Sequence, residues 1–203
     1  MRRTHPNITV NIYVVLLSGA SPRQNRALAM IYIALGANLE TERHGPPQRG
    51  LEAALRRLHD LGAVPRQCSS WYRSAPVPAT SQPWYINGVA GIDCPLTPPA
   101  LMALLLAVEA EFGRRRGARN AARVLDLDLI DFKGEILAKS ANDESPAVQI
   151  PHPRLAERAF VLLPLAEIAP NWHHPENGRH IDDLIANLPP NQKIERCDDE
   201  KLP

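Results

Sequence analysis

The sequence predicts an α+β sandwich, with helices packed on one face of a largely antiparallel sheet. Three observations carry this expectation. Compact apolar runs closed by Gly, Asn or Pro read as strands. Two segments, 51–58 and 101–112, carry apolar residues at helical spacing instead. Taken in order, the elements run β-α-β-β-α-β, with no internal repeat.

Each element has a local reason. Ile31 to Leu35 is an apolar run ended by Gly36 and Asn38, so it reads as a strand and a turn. Glu40 to Gly50 is polar and proline-bearing, hence a loop. A helix follows on the stripe Leu51, Ala54, Leu55 and Leu58, and Gly62 stops it. Gln67 to Tyr72 reads as a second strand, Arg73 to Pro83 as a long loop and Tyr85 to Ile92 as a third strand. Thr97 caps the next helix, with Pro98 in its first turn. Its stripe is Leu101, Leu104, Leu105, Val108 and Phe112, and Gly113 ends it. Val124 to Phe132 is a fourth strand, followed by the Lys133-Gly134 turn and a short strand at Glu135 to Leu137. Arg158 to Leu163 fits either a strand or a helix start, and Ile181 to Leu188 fits a short terminal helix.

Composition narrows the function. The chain has 203 residues, 44% of them hydrophobic, enough for one domain with a real core. Its 23 basic and 22 acidic residues nearly cancel, which argues against a nucleic-acid binder or a partner of anionic membranes. The twenty prolines cluster between apolar runs and read as loop punctuation. Cys68, Cys94 and Cys197 fit neither a disulfide framework nor a zinc site, so a reducing cytoplasm is the expected compartment. No stretch approaches the ~20 apolar residues of a membrane span. Met30 stands directly before the first strand. Residues 1–29 are therefore expected to lie outside the fold, with translation starting at Met30. Residues 30–189 form the domain and 190–203 a tail.

The most telling local feature is Leu125-Asp126-Leu127-Asp128-Leu129. Strand side chains alternate, so Asp126 and Asp128 share one face about 7 Å apart while the leucines enter the core. Such close carboxylates repel unless a cation lies between them, and hard oxygen ligands on a rigid strand suit Mg²⁺. The solvated face of an edge strand would show the same pattern. Just upstream, Gly113 to Arg123 holds five arginines and no acid. A cationic loop beside two carboxylates suits polyphosphate transfer, although a plain charge run or a nucleic-acid patch also fits. Of the chain's ten aromatics, four are Trp71, Tyr72, Trp84 and Tyr85. Tyr85 and Asn87 share a strand face, where a ring beside an amide suits a flat heterocycle; ordinary core packing is the alternative, and the plainer reading for Trp71 and Trp84. His152, pinned between Pro151 and Pro153, could touch phosphate, although a lone surface histidine is the more common outcome of such a pattern.

Five motifs occur in one order: ALGANL (34–39), SSWYRSAPV (69–77), QPWYIN (82–87), GRRR…RVLDLDL (113–129) and IPHPRLAERAFVLLPLAEIAP (150–170). Together they resemble the 6-hydroxymethyl-7,8-dihydropterin pyrophosphokinase family of folate biosynthesis, from about residue 31 to about 188. The resemblance implies a ferredoxin-like sandwich and the substrates ATP and hydroxymethyldihydropterin. It implies two Mg²⁺ ions on Asp126 and Asp128, and catalytic assistance from Arg114 and Arg123. Glu109, Arg116, Arg119, His152 and Arg158 would contact ATP. The pterin would lie between Tyr85 and Phe160, with Asn87 on its edge and Ser74, Ala75 and Val77 lining the pocket. A monomer is expected. Two other classes share features with it. A two-metal nucleotidyltransferase usually needs a third carboxylate, and strand parity places Asp131 with the leucines. A ferredoxin-like RNA-binding module would use the arginine run as a phosphate patch.

Overall fold

The computed structural model describes residues 30–114, 122–138 and 148–197. Its elements are β1 (Ile31–Ala37), α1 (Pro47–Asp60), β2 (Val64–Cys68), β3 (Tyr72–Ser74), β4 (Tyr85–Asp93), α2 (Pro98–Glu111), β5 (Asp126–Phe132), α3 (Ala159–Ile168), α4 (Ile181–Ala186) and β6 (Ile194–Arg196). One antiparallel sheet runs β5-β1-β4-β3-β6, and β2 also pairs with β4. The α+β expectation holds.

Alternation along the central strands builds two cores. Ile31, Ile33 and Leu35 of β1 and Leu127 and Leu129 of β5 face α1 and α2, meeting Leu51, Leu58, Leu101, Leu105 and Val108. On the opposite face, Ala34, Val89 and Ile130 meet Leu162 and Leu165 of α3 and Leu184 of α4. Helices therefore cover both faces, where the sequence suggested one. The apolar content of Ala159–Ile168 needs a second core, and β1 is apolar on both sides, with Val89 of β4 and Ile130 of β5 completing the second face.

Several boundaries differ from expectation. α1 begins at Pro47, four residues before its apolar stripe. Thr97 occupies the N-cap of α2 without a side-chain cap bond, while Gly113 closes that helix at φ +89°. Residues 135–137 contribute one bridge, Leu137 to Ile150, instead of a strand. The 158–163 ambiguity resolves as the start of α3. Residues 194–196, expected in a tail, are a strand of the sheet.

The expected strand 67–72 is broken in two, and Gly88 gives the reason. β2 pairs with residues 90–93 of β4 and β3 with residues 85–87. Between them Ser69 still holds Val89, its N–H donating to the Val89 carbonyl at 2.9 Å, and Trp71 then lies across Gly88, where an added Cβ would sit 2.7 Å from the indole. Gly88→Ala should therefore destabilise the fold by about 1–3 kcal/mol, read as a lowered urea midpoint. An unchanged midpoint would contradict this packing.

A β-bulge corrects the parity argument for Asp131. The β1–β5 register shifts between Tyr32 and Ile33, which leaves Ile130 as the extra residue. Asp131 is consequently on the same face as Asp126 and Asp128, not with the leucines. It is buried there and accepts hydrogen bonds from Trp172 Nε1 (2.7 Å) and Gly134 N (2.8 Å).

Candidate functional site

Small residues on β1 make room for a cleft. Asp126 pairs with Gly36 and Asp128 with Ala34, and Gly36 pairs on its other side with Asn87. A Cβ at Gly36 would approach Asn87 Oδ1 to 3.3 Å. The floor of the cleft is thus Ala34 and Gly36, with carboxylates on one flank and Tyr85 and Asn87 on the other. The remaining walls come from Ser74 to Pro78 and from Arg158 and Phe160 at the start of α3.

Both aspartates open into this cleft, so the alternation expected from Leu-Asp-Leu-Asp is realised. Each is met by guanidinium groups. Arg123 bonds Asp126 Oδ2, Arg114 Nη1 lies 2.8 Å from Asp126 Oδ1, and Arg158 Nη1 lies 3.3 Å from Asp128 Oδ2. His152 Nε2 stands 3.9 Å from the same Asp128 oxygen. Burial, and then the Asp128 charge, push the Asp126 carboxyl above the usual carboxylate range against the pull of Arg123 and Arg114. Burial, with Arg158 and Arg154, lowers His152 against the pull of Asp128.

Glu109 supports this arrangement from below. It is 2% exposed, accepts a 2.7 Å bond from Leu127 N between the two aspartates, and pairs with Arg114. Its carboxylate therefore faces β5 and Arg114 and is not part of the cleft lining, where the resemblance implies an ATP contact. Burial raises its pKa to about 7, despite the Leu127 N–H and Arg114. A folded-state value above the unfolded one gives stability that is fully present below about pH 4.5 and is lost as pH rises through 7. The stability of the metal-free wild type, measured relative to Glu109→Gln by urea unfolding, should therefore fall between those pH values, by of the order of 3 kcal/mol. A difference that stays flat with pH would contradict the buried carboxylate.

The remaining expected residues fall as follows. Asn87 Nδ2 donates to Ser74 Oγ at 2.9 Å, which fixes the amide that faces the cleft. Ala75 and Val77 line it, and the Arg158 guanidinium lies 5.4 Å over the Phe160 ring. Arg116 and Arg119 lie outside the described residues. The structure adds residues that the sequence did not single out. Asn38, 2% exposed, accepts from Arg123 N at 2.7 Å, and its own backbone N–H donates to Arg123 O at 2.9 Å. It also donates to Pro83 O, so one amide joins the ends of β1, β4 and β5. Arg154, Glu157, Thr80 and Gln192 line the cleft. Asn38 and Arg154 sit inside quoted motifs, which is a usable signal. Gln192 has none.

Among the described residues no cluster of three His, Cys, Asp or Glu side chains forms a metal site. Two carboxylates on one face instead match Mg²⁺ that completes its shell with substrate phosphates and water. Asp126 and Asp128 would hold it, and the surrounding guanidiniums suit the same phosphates.

Comparison with known proteins agrees with this chemistry. A family model described as 7,8-dihydro-6-hydroxymethylpterin-pyrophosphokinase matches residues 32–170. Proteins named 2-amino-4-hydroxy-6-hydroxymethyldihydropteridine pyrophosphokinase are similar in Synechocystis (41% identity, 77% of this chain and 74% of that protein) and in Pseudomonas aeruginosa (38%, 78% and 91%). A Dictyostelium discoideum protein named as a folic acid synthesis protein is 31% identical over 83% of this chain and 24% of its own length. Motifs, fold and cleft converge with these matches, and the chain belongs to the 7,8-dihydro-6-hydroxymethylpterin pyrophosphokinase family.

Proposed function

We propose that the cleft transfers pyrophosphate from ATP to 6-hydroxymethyl-7,8-dihydropterin in folate biosynthesis, giving AMP and the pterin diphosphate. The observation that carries this is the joint opening of the Asp126–Asp128 carboxylates and the Tyr85–Asn87–Phe160 group into one cleft. One side has the chemistry of a metal–triphosphate and the other that of a flat, hydrogen-bonding heterocycle.

The pterin hydroxyl oxygen attacks the β-phosphorus. A new O–P bond forms on the pterin as the bond to the α-phosphate oxygen breaks, AMP leaves, and the hydroxyl proton is released. Two Mg²⁺ ions on Asp126 and Asp128, when bound, would neutralise the phosphate oxygens and orient them for in-line displacement. The side chains do the rest. Arg123 and Arg114 supply positive charge at the Asp126 end and Arg158 at the Asp128 end, where the His152 imidazole offers a hydrogen-bonding edge. Asn87 orients the pterin edge, and Tyr85 and Phe160 bracket its faces. Arg154 in the cleft wall is a further phosphate partner. Positioning and charge complementarity supply the rate, with no covalent intermediate on the protein.

A coupled assay of AMP release tests the reading. Release from MgATP should require hydroxymethyldihydropterin and stop when EDTA is added. Release independent of the pterin, or none at all, would overturn it.

A further inference from the structure

α3 presents both Arg158 and Phe160 to the cleft, yet its first turn is weakly held from within. Arg158, at its N-cap, makes no side-chain cap bond. Pro164 stands inside the helix and has no N–H to donate to the Phe160 carbonyl four residues earlier. The first N–H groups of any helix also lack intrahelical partners. Val161 N and Leu162 N donate to the Arg158 carbonyl at 3.1 and 3.0 Å, which leaves the Ala159 N–H at the head of the turn to a partner outside the helix.

We propose that Gln192 is the positioning residue for Phe160, an inference that rests on the pterin reading of the cleft. Its side-chain amide bridges the backbone on either side of Arg158. Oε1 accepts from Ala159 N at 3.0 Å, and Nε2 donates to the Glu157 carbonyl at 2.9 Å. One planar group thereby supplies the missing cap and fixes the peptides before and after the arginine. Gln192 is itself held from the sheet. The next residue, Lys193, accepts from Ala75 N at 3.0 Å, and Ile194 pairs with Ser74 as β6 joins β3. The strap thus ties two walls of the cleft together, the Ser74–Val77 segment and the start of α3, and Gln192 lines the cleft where they meet. It lies beyond residues 32–170, the part of the chain that the family model matches.

The two residues of this turn depend on the strap unequally. Arg158 keeps a second anchor on Asp128, 3.3 Å away. Phe160 packs partly buried on the edge of the second core, with the Arg158 guanidinium against its ring, and has no polar anchor of its own on β5. Loss of the bridge therefore falls on the heterocycle end of the cleft more than on the phosphate end.

The test measures KM for each substrate and kcat in Gln192→Ala and Gln192→Met, the latter keeping the volume and the β6 pairing but neither hydrogen bond. Losing two hydrogen bonds should raise the KM for hydroxymethyldihydropterin about tenfold in both variants, with the KM for ATP changed less than about twofold. Unchanged pterin KM in a folded variant, or equal rises for both substrates, overturns the assignment. So does global unfolding of both variants, since a clamp on one turn does not carry the fold. Wild-type protein in the same assay separates the two ideas. If it releases AMP only with the pterin while the variants keep a normal pterin KM, the clamp alone is wrong. If it shows no pterin-dependent release, the function reading itself fails.

Discussion

Asp126→Ala and Asp128→Ala should each lower kcat for AMP release by about a thousandfold or more, since in the proposed mechanism each removes a metal ligand worth several kcal/mol in the transition state and tenfold in rate is about 1.4 kcal/mol. The loss should not be one of folding. Leu127 and Leu129 hold β5 in the core whatever the intervening residues are. Asp126 carries a carboxyl already pushed up by burial and by Asp128, so the apo fold gains little from its charge. The variants should unfold within a few degrees of wild type, while Mg²⁺-dependent nucleotide binding, followed by calorimetry, weakens sharply. Near-normal turnover in either variant would remove the metal assignment.

Arg123→Ala is expected to have the next largest effect, lowering kcat about a hundredfold with KM for both substrates changed only a few-fold, the range seen when a preorganised charge-stabilising donor is removed. Its backbone is fixed independently of its side chain. Asn38 accepts from Arg123 N, and Arg123 O accepts from Asn38 N at 2.9 Å and Leu39 N at 3.2 Å. Substitution therefore deletes the guanidinium without releasing the entrance to β5. Arg123→Lys should recover only part of the rate, because a point charge cannot match a planar fork on phosphate oxygens. An effect confined to KM would show that Arg123 serves ground-state binding alone. Activity should be measured against Asn38→Ala in parallel, which keeps the guanidinium but loosens the peptide that carries it.

The sequence was most informative where a local rule and a buried face coincide. In Leu125 to Leu129 the period of two determines which side chains enter the core, so the direction of both aspartates followed from the strand alone. The stripe Leu101, Leu105 and Val108 worked in the same way for α2. Prediction failed where tertiary contacts overrode local pattern. Parity put Asp131 with the leucines because the bulge at Ile130 depends on pairing with β1, which no local pattern reports. Residues 67–72 read as one strand because the close approach of Trp71 to Gly88 is between residues distant along the chain. The resemblance placed Glu109 at ATP, yet β5 passes over it and leaves it buried against Leu127 N, a contact between residues of separate elements. β6 and Gln192 were invisible for a related reason. Three residues of edge strand have little signal of their own, and their order comes from β3. The motif order carried the identity of the substrates. That the Asp126–Asp128 carboxylates and the Tyr85, Asn87 and Phe160 side chains line one cleft required the fold.

The most direct test is a crystal soaked with Mn²⁺, a non-hydrolysable ATP analogue and hydroxymethylpterin, read by anomalous scattering. Manganese peaks should appear at coordination distance from the carboxylates of Asp126 and Asp128, with the triphosphate beside Arg123 and the heterocycle between Tyr85 and Phe160. Metal density away from both carboxylates, or a heterocycle bound outside the cleft that they share with Tyr85, would contradict the account.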